Sequence, residues 1–399
     1  MSNKKIMILG ASILQLPAIQ KAKAMGLRVV AVDMNPDAIG FLEPGIEIEV
    51  ISTIDIPKVL EAAKRHEIDG IMTLASDMPM RTVAVVAREM GLVGITEDTA
   101  IKATNKAAMR IALQSAGVPI PRFFKVSSQE EYEQAVGAMT GAFMVKPADN
   151  SGSRGVVKVD FPTNPKAVAQ AYRYSLQSSR SGDVVVEEYM QGPEVSVETL
   201  TVDGICHVVQ ITDKLTTGAP HFVEMGHSQP SALPPDIVEE IRQVVIAANH
   251  AVGITNGPSH TEIIVTAEGP KIVELGARLG GDCITTHLVP LSTGVNMVEC
   301  CIRIALGETP ALQKKWKKGS AIRYFDQTPG VVQAIEGIDE AQRIPGIRQI
   351  SIVHNVGERI GQIDSSGARM GFVIAQADNA AEAVDCCRKA MEQITITIE

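Results

Sequence analysis

Within its first ninety residues the chain alternates short, continuous apolar runs with helix-length segments. Ile6-Met7-Ile8-Leu9 ends at Gly10, Val29-Val30-Ala31-Val32 ends at Asp33, and Ile71-Met72-Thr73-Leu74 closes the series. Helical stretches lie between and after them: one running to Met25 and stopped by Gly26, one over 57–66, and one over 79–90 closed by Gly91. Runs that are apolar at every position suit strands buried on both faces, and strands separated by helices suit a parallel sheet. The pattern predicts a doubly wound α/β unit.

Beyond it the character changes. A helical stretch over 99–116 stops at Gly117 and is followed by Pro119 and Pro121, a helix stop and linker. Ser128 with Glu131 forms a capping box. Strand-like Phe143-Met144-Val145-Lys146 enters the polar turn 149–155, strand-like 156–159 leaves it, a helix spans 165–177, and 184–187 is a third strand. This is a small α+β unit. Strands dominate 194–278, with one helix near 237–251, and the tail from 320 holds four strand candidates and a last helix over 380–393. A chain of 399 residues suits two or three domains. The divisions expected are a Rossmann-like domain over 1–95, a core over 96–310 with a lid at about 118–190, and a C-terminal lobe over 311–399.

Composition excludes several functions. With 37 basic and 46 acidic residues the formal charge is -9, against a nucleic-acid partner, whose backbone calls for clustered cations. Aromatic residues make up only 4%, too few for base-stacking platforms. A small phosphate ligand needs only a few local cations and stays open. Cys206, Cys283, Cys300, Cys301, Cys386 and Cys387 form no C-x-x-C, hence neither a zinc spacing nor a disulfide framework, and thiols in a reducing compartment are expected. No apolar run approaches the ~18 residues of a membrane span, and the N-terminal run is too short for a signal peptide. A soluble, cytoplasmic protein with no membrane partner is expected.

Two features carry chemistry. The turn Ser151-Gly152-Ser153-Arg154-Gly155 is small enough for its backbone N–H groups to surround phosphate oxygens. It is also compatible with an ordinary hairpin turn, and it is not a P-loop, since no Lys-Ser or Lys-Thr follows. Glu262 and Glu274 flank Ala267-Glu268-Gly269, a plausible three-residue hairpin loop with Gly269 at the left-handed position. In that register the two glutamates face each other on one side of the hairpin, an unfavourable placement unless a cation lies between. A divalent ion such as Mg²⁺, which takes carboxylate and phosphate oxygens together, answers this. A solvated edge pair or a partnership with Arg278 are the alternatives, and a one-residue slip in register removes the argument. Gly10-Ala11-Ser12-Ile13-Leu14-Gln15 has only the first glycine of a dinucleotide fingerprint. No H-E-x-x-H or G-x-S-x-G occurs, and a lone His260 or His227 reads as structural.

In this order the pieces resemble the ATP-grasp superfamily of carboxylate–amine ligases, over nearly the whole chain. The resemblance implies an N-terminal pre-ATP-grasp domain, a small lid, an antiparallel-sheet central domain and an α+β C-terminal lobe. The segment from Val185 to Val197 looks like the family's hinge. It implies that the backbone of Glu187, Glu188, Tyr189 and Met190 holds the adenine edge, with the Glu187 side chain near its amino group and Glu194 on the ribose. Lys146 and Lys106 would reach the phosphates, and the lid loop of Ser151, Gly152, Ser153 and Gly155 would close over them. Glu262 and Glu274 match the metal-binding strands for Mg²⁺, or alternatively Mn²⁺. Gly276 stands where Asn is frequent, which leaves a third ligand open. Arg278 matches the arginine that contacts the transferred phosphate or the acyl phosphate, a catalytic role shared with Lys146.

Biotin carboxylases share the lobes, including the run from Ser366 to Gly371, but carry an Asn and a Glu-His that Gly281-Asp282-Cys283 does not supply. Purine-pathway enzymes expect Pro-His-Asp where Leu279-Gly280-Gly281 stands. Asp213-Lys214 and the segment from Phe222 to Ser231 are similar to the substrate side of the L-amino-acid (dipeptide) ligase subgroup. That makes Lys214, Glu224, His227 and Arg278 candidate substrate residues. The resemblance implies ATP-dependent joining of a small carboxylate to an amine, with a homodimer as the candidate assembly. A purine-pathway or carboxylase-type enzyme and a non-catalytic ATP-binding regulator are the alternatives.

Overall fold

A computed structural model describes residues 4–150, 152, 154–219 and 221–399. The N-terminal parallel sheet has the order Glu47–Val50, Arg28–Asp33, Lys5–Leu9, Gly70–Thr73. Met7, Leu9, Val30 and Val32 pack with residues of helices Ile56–His66 and Pro79–Met90. Ile6, Ile8, Val29 and Ala31 pack on the other face with Leu16–Ala24 and with Met297–Ala305. Both faces are therefore dry, which is why the runs are apolar throughout. The second face is partly covered by a helix nearly three hundred residues away, so this domain shares its core with the next. The sheet gains one strand unseen in the sequence, Glu47–Val50, whose acidic residues alternate along an exposed edge.

The expected helix over 99–116 is two helices, Glu97–Lys102 and Lys106–Ser115. The Thr104 hydroxyl donates to the Ala100 carbonyl at 2.7 Å, and the extended Asn105 accepts from the Ala108 N–H at 3.0 Å. Thr and Asn side chains compete for backbone groups and here end one helix and cap the next. The break places Lys106 at the start of the second helix, with its N–H on the Ala148 carbonyl at 2.6 Å.

The lid is an antiparallel sheet ordered Phe123–Val126, Val184–Glu188, Phe143–Pro147, Val157–Val159. Helices Gln129–Gly137 and Pro165–Ser178 cover one face, where Tyr132 stacks on Tyr172 at 4.4 Å. Ser128 caps its helix as expected, while Glu131 reaches back to the N–H of Ser127.

The central antiparallel sheet has eight strands: Gly269–Gly276, Gly257–Thr266, Glu194–Val202, Ile205–Thr216, Glu224–Gln229, Gly319–Tyr324, Gly371–Ala377 and Ile347–Ile352. Its last three come from the tail, so the C-terminal region extends the core sheet. The tail has six strands among the described residues, not four. The other three, Arg359–Ile360, Gly330–Glu336 and Thr395–Ile398, form a small sheet of their own. The last helix is Ala380–Gln393, as expected. Among the described residues no single helix is long and apolar enough to cross a membrane.

Candidate active site

The site is built on the hairpin Gly257–Thr266 and Gly269–Gly276. Its turn is one residue shorter than the sequence suggested: Thr266 pairs with Gly269, and Gly269 has φ +107°. That turn alone would set Glu262 opposite Val273. A bulge between Glu262 and Ile263 shifts the register by one, and Glu262 pairs with Glu274 after all. A bulge disturbs the ladder locally, and Arg110 bonds the carbonyls there, Ile272 at 2.9 Å and Val273 at 2.8 Å.

The facing glutamates are neutralised separately. Lys106 Nζ donates to Glu274 at 2.8 Å and to the Asn150 carbonyl at 2.8 Å. Lys214 Nζ lies 3.1 Å from Glu262, 2.6 Å from Glu194 and 3.7 Å from Glu224. Arg278 partners neither glutamate; its Nε donates to Asp77 at 2.8 Å and its Nη2 at 3.4 Å. Among the described residues no group of three or more His, Cys, Asp or Glu could hold a metal by itself. Two hard carboxylates side by side suit Mg²⁺, which fills its shell with nucleotide oxygens and water.

Glu187 differs from the expectation. Its side chain is only 1% exposed and is locked between Arg110 Nε at 2.7 Å and Lys146 Nζ at 2.8 Å. Burial alone would raise its pKa, but the two cations hold it down at about 2. That carboxylate anchors Lys146, and both of its oxygens are taken by cations. The N–H groups of Glu188 and Tyr189 are taken by the Arg122 and Ala142 carbonyls at 2.9 and 3.0 Å. Met190 is the hinge residue whose N–H makes no such bond among the described residues. Lys271 bonds the Glu188 carboxylate at 3.0 Å, and Lys158 of the lid lies 4.2 Å from the centre of the Tyr189 ring. In the lid turn, Gly152 and Gly155 have φ +66° and +80°. A Cβ on Gly155 would collide with Ser178. Ser151 and Ser153 lie outside the described residues.

On the substrate side, Lys214 and His227 are register partners on adjacent strands. His227 Nε2 lies 3.4 Å from Asp282, which Arg369 grips with two 2.8 Å bonds. The Arg369 guanidinium stacks on Tyr324 at 3.7 Å and donates to the Glu224 carbonyl. Lys214, Glu224 and His227 thus come together as expected, and Asp282 and Arg369 join them unannounced.

His260 is more than the lone structural histidine the sequence suggested. Its Nδ1 meets the buried Glu198 at 2.5 Å and its Nε2 lies 3.7 Å from Glu262. Burial alone would lower its pKa, yet the Glu198 carboxylate raises it to about 9. The folded value exceeds the unfolded one, ~6.5, so the stability from this group is full below pH ~6.5 and is lost as pH rises through about 9. The thermal midpoint should therefore decline toward pH 9–10 in the wild type, and that decline should shrink in His260→Gln. Superimposable pH profiles of the two midpoints would refute the charged pair. The signal was available in the sequence: His260 and Glu262 are two apart on one strand and share a face.

Residues 139–286 match the ATP-grasp domain family. This part of the chain is an ATP-grasp domain. Residues 323–399 match a second family, L-amino acid ligase C-terminal domain 2. The chain's relatives include the L-arginine-specific L-amino acid ligase of Bacillus subtilis, 24% identical over 332 residues, which cover 79% of this chain and 78% of that one. An L-amino acid ligase from Bacillus licheniformis superimposes with a TM-score of 0.85 at 23% identity, and phosphoribosylglycinamide synthetase from Anaerococcus prevotii with 0.81 at 22%. Each likeness spans the whole of both chains. At these identities the solved structures establish the fold, in agreement with the expected ATP-grasp architecture.

Proposed function

We propose that this protein is an ATP-dependent carboxylate–amine ligase that takes an amino acid as one substrate. The observation that carries the reading is the pairing of Glu262 with Glu274, each held by its own lysine, in a chain whose domains match the ATP-grasp and amino-acid ligase families. The terminal phosphate of ATP passes to the substrate carboxylate, giving an acyl phosphate and ADP. The amine then attacks the acyl carbon, the C–O bond to phosphate breaks, and phosphate leaves.

The residues divide this work. Lys106, Lys146 and Arg278 donate to phosphate oxygens and offset the charge of the transferred group. Lys106 and Lys146 are meanwhile held by Glu274 and Glu187, so an arriving triphosphate exchanges one anion for another instead of ordering a free side chain. The Met190 N–H faces the adenine edge, and Glu194 the ribose. Gly152 and Gly155, with Ser151 and Ser153, close over the phosphates and exclude water, which would hydrolyse an acyl phosphate. Glu262 and Glu274 would hold Mg²⁺, or Mn²⁺ in its place, which supplies charge neutralisation at the phosphates when bound. Glu224 and His227, beside Lys214, receive the amine.

A purine-pathway ligase or a carboxylase-type enzyme shares the fold, but the match of residues 323–399 to the amino-acid ligase C-terminal family favours an amino acid. The assembly and compartment proposed are a cytoplasmic homodimer. The test is ADP release by the purified protein, screened with MgATP against paired amino acids and other small carboxylates. ADP release that requires both partners of a pair is expected. Nucleotide binding without ADP release from any pair would mark a regulator instead.

A further inference from the structure

Asp77 stands out because it reaches the reactive end of the site from the other domain. It follows the strand Gly70–Thr73 and precedes the helix Pro79–Met90, at the carboxyl edge of the parallel sheet where α/β folds place their ligands. Its two oxygens accept from Arg278 Nε at 2.8 Å and Nη2 at 3.4 Å. Arg278 Nη1 in turn donates to the Leu279 carbonyl at 3.3 Å. Three of the five guanidinium N–H groups are thereby fixed, and two remain for substrate oxygen. The loop that carries Asp77 is itself braced. Gln15 donates to the Leu74 carbonyl at 2.5 Å and to the Ser76 hydroxyl at 3.2 Å, Met80 N–H bonds the Asp77 carbonyl at 2.9 Å, and Ala75 is held at φ +57°. A non-glycine residue in that conformation persists only where its surroundings over-determine it.

Gly276 explains how the carboxylate fits. A Cβ there would sit 2.9 Å from Asp77 Oδ1 and 3.5 Å from the Arg278 guanidinium carbon. Gly276 has no positive φ to require glycine, so space, rather than backbone conformation, is what a side chain would violate.

We propose that Asp77 is the positioning residue for Arg278, supplied by the N-terminal domain into the space that Gly276 leaves open. It fixes the guanidinium so that its two unused N–H groups point at the substrate carboxylate and the phosphoryl group it receives. The role rests on the ligase reading above, and through it the N-terminal domain completes the catalytic site instead of merely flanking it.

Two measurements test this. Asp77→Asn should lower kcat for ADP release by about 10–100-fold, the usual cost of loosening a residue behind a reacting group. KM for ATP should hold, because Lys106 and Lys146 are untouched. A purely structural Asp77 would instead shift the thermal midpoint and leave kcat per folded molecule at its wild-type value. In the second measurement, Gly276→Asn should lower the midpoint in the wild type and lower it far less in an Asp77→Gly background, where the collision is gone. Wild-type kcat in Asp77→Asn beside an active wild type would overturn the proposal, as would an equal Gly276→Asn penalty in both backgrounds. No ADP release from the wild type with any substrate pair would sink the ligase reading first, and the positioning role with it.

Discussion

Glu274→Gln should cut ADP release by about 10²–10³-fold, the range for removing one charged or hydrogen-bonding group from a preorganised site. The amide keeps the volume of the glutamate and still offers an oxygen to Lys106, which now donates to it at 2.8 Å. Its thermal midpoint should stay within a few degrees of the wild type, which separates this variant from an unfolded one. The two functions of Glu274 then come apart. As half of the carboxylate pair with Glu262 it would hold the divalent ion under the proposed reading, and that would be lost. As the partner of Lys106 it would compete with the nucleotide's phosphates under the same reading, and that competition would weaken. ATP affinity measured in EDTA should therefore hold or rise while turnover with Mg²⁺ collapses. Turnover at the wild-type rate would remove Glu274 from the metal site. Loss of ATP affinity in EDTA would show that the Lys106 exchange has the wrong sign.

How far the sequence revealed this site depends on how local each feature is. The parallel sheet was legible because burial on both faces is written into every residue of its strands, such as Ile6 to Leu9. The break between Lys102 and Lys106 was not, because it turns on hydrogen bonds from Thr104 and Asn105 that compete with a good helical pattern. The join of the tail to the core sheet pairs Glu224–Gln229 with Gly319–Tyr324, some ninety residues on, and no local pattern encodes such a pairing. The opposition of Glu262 and Glu274 was read correctly from a turn one residue too long; the bulge near Ile263 made up the difference. Glu187 was placed on the right strand, but its strand neighbours could not tell that Arg110 and Lys146 would claim it. Asp77 and Arg278 are 201 positions apart. Their meeting belongs to the docking of two domains, and only the missing side chain at Gly276 left a trace of it in the sequence.

The register of that hairpin leads to the largest stability effect expected, at a buried residue outside the proposed nucleotide and substrate contacts. Arg110 is fully buried and bonds Glu187 together with the Ile272 and Val273 carbonyls. Methionine in its place would fill the volume but take one hydrogen bond from each of the three acceptors and leave Glu187 with Lys146 alone. Breaking a buried ion pair from one side costs about 3–5 kcal/mol, and the lost bonds to the carbonyls add to it. Urea unfolding of Arg110→Met at pH 7 should show a loss of that size. ATP turnover should fall as well, since the bulge that aligns Glu262 with Glu274 loses its brace. The pH dependence checks the cause. The Glu187 pKa is about 2 when folded, against an ordinary 4.5, a depressed value. Its contribution is therefore full above pH ~4.5 and is lost as pH falls through about 2. Without Arg110 the carboxylate is held down less firmly, so the stability gap between wild type and variant should narrow as the pH drops below ~4.5. A gap that stays constant from pH 7 to pH 3 would mean that Arg110 acts through packing alone, and a gap under about 1 kcal/mol at pH 7 would mean that the buried triad of Arg110, Glu187 and Lys146 does not hold the hairpin at all.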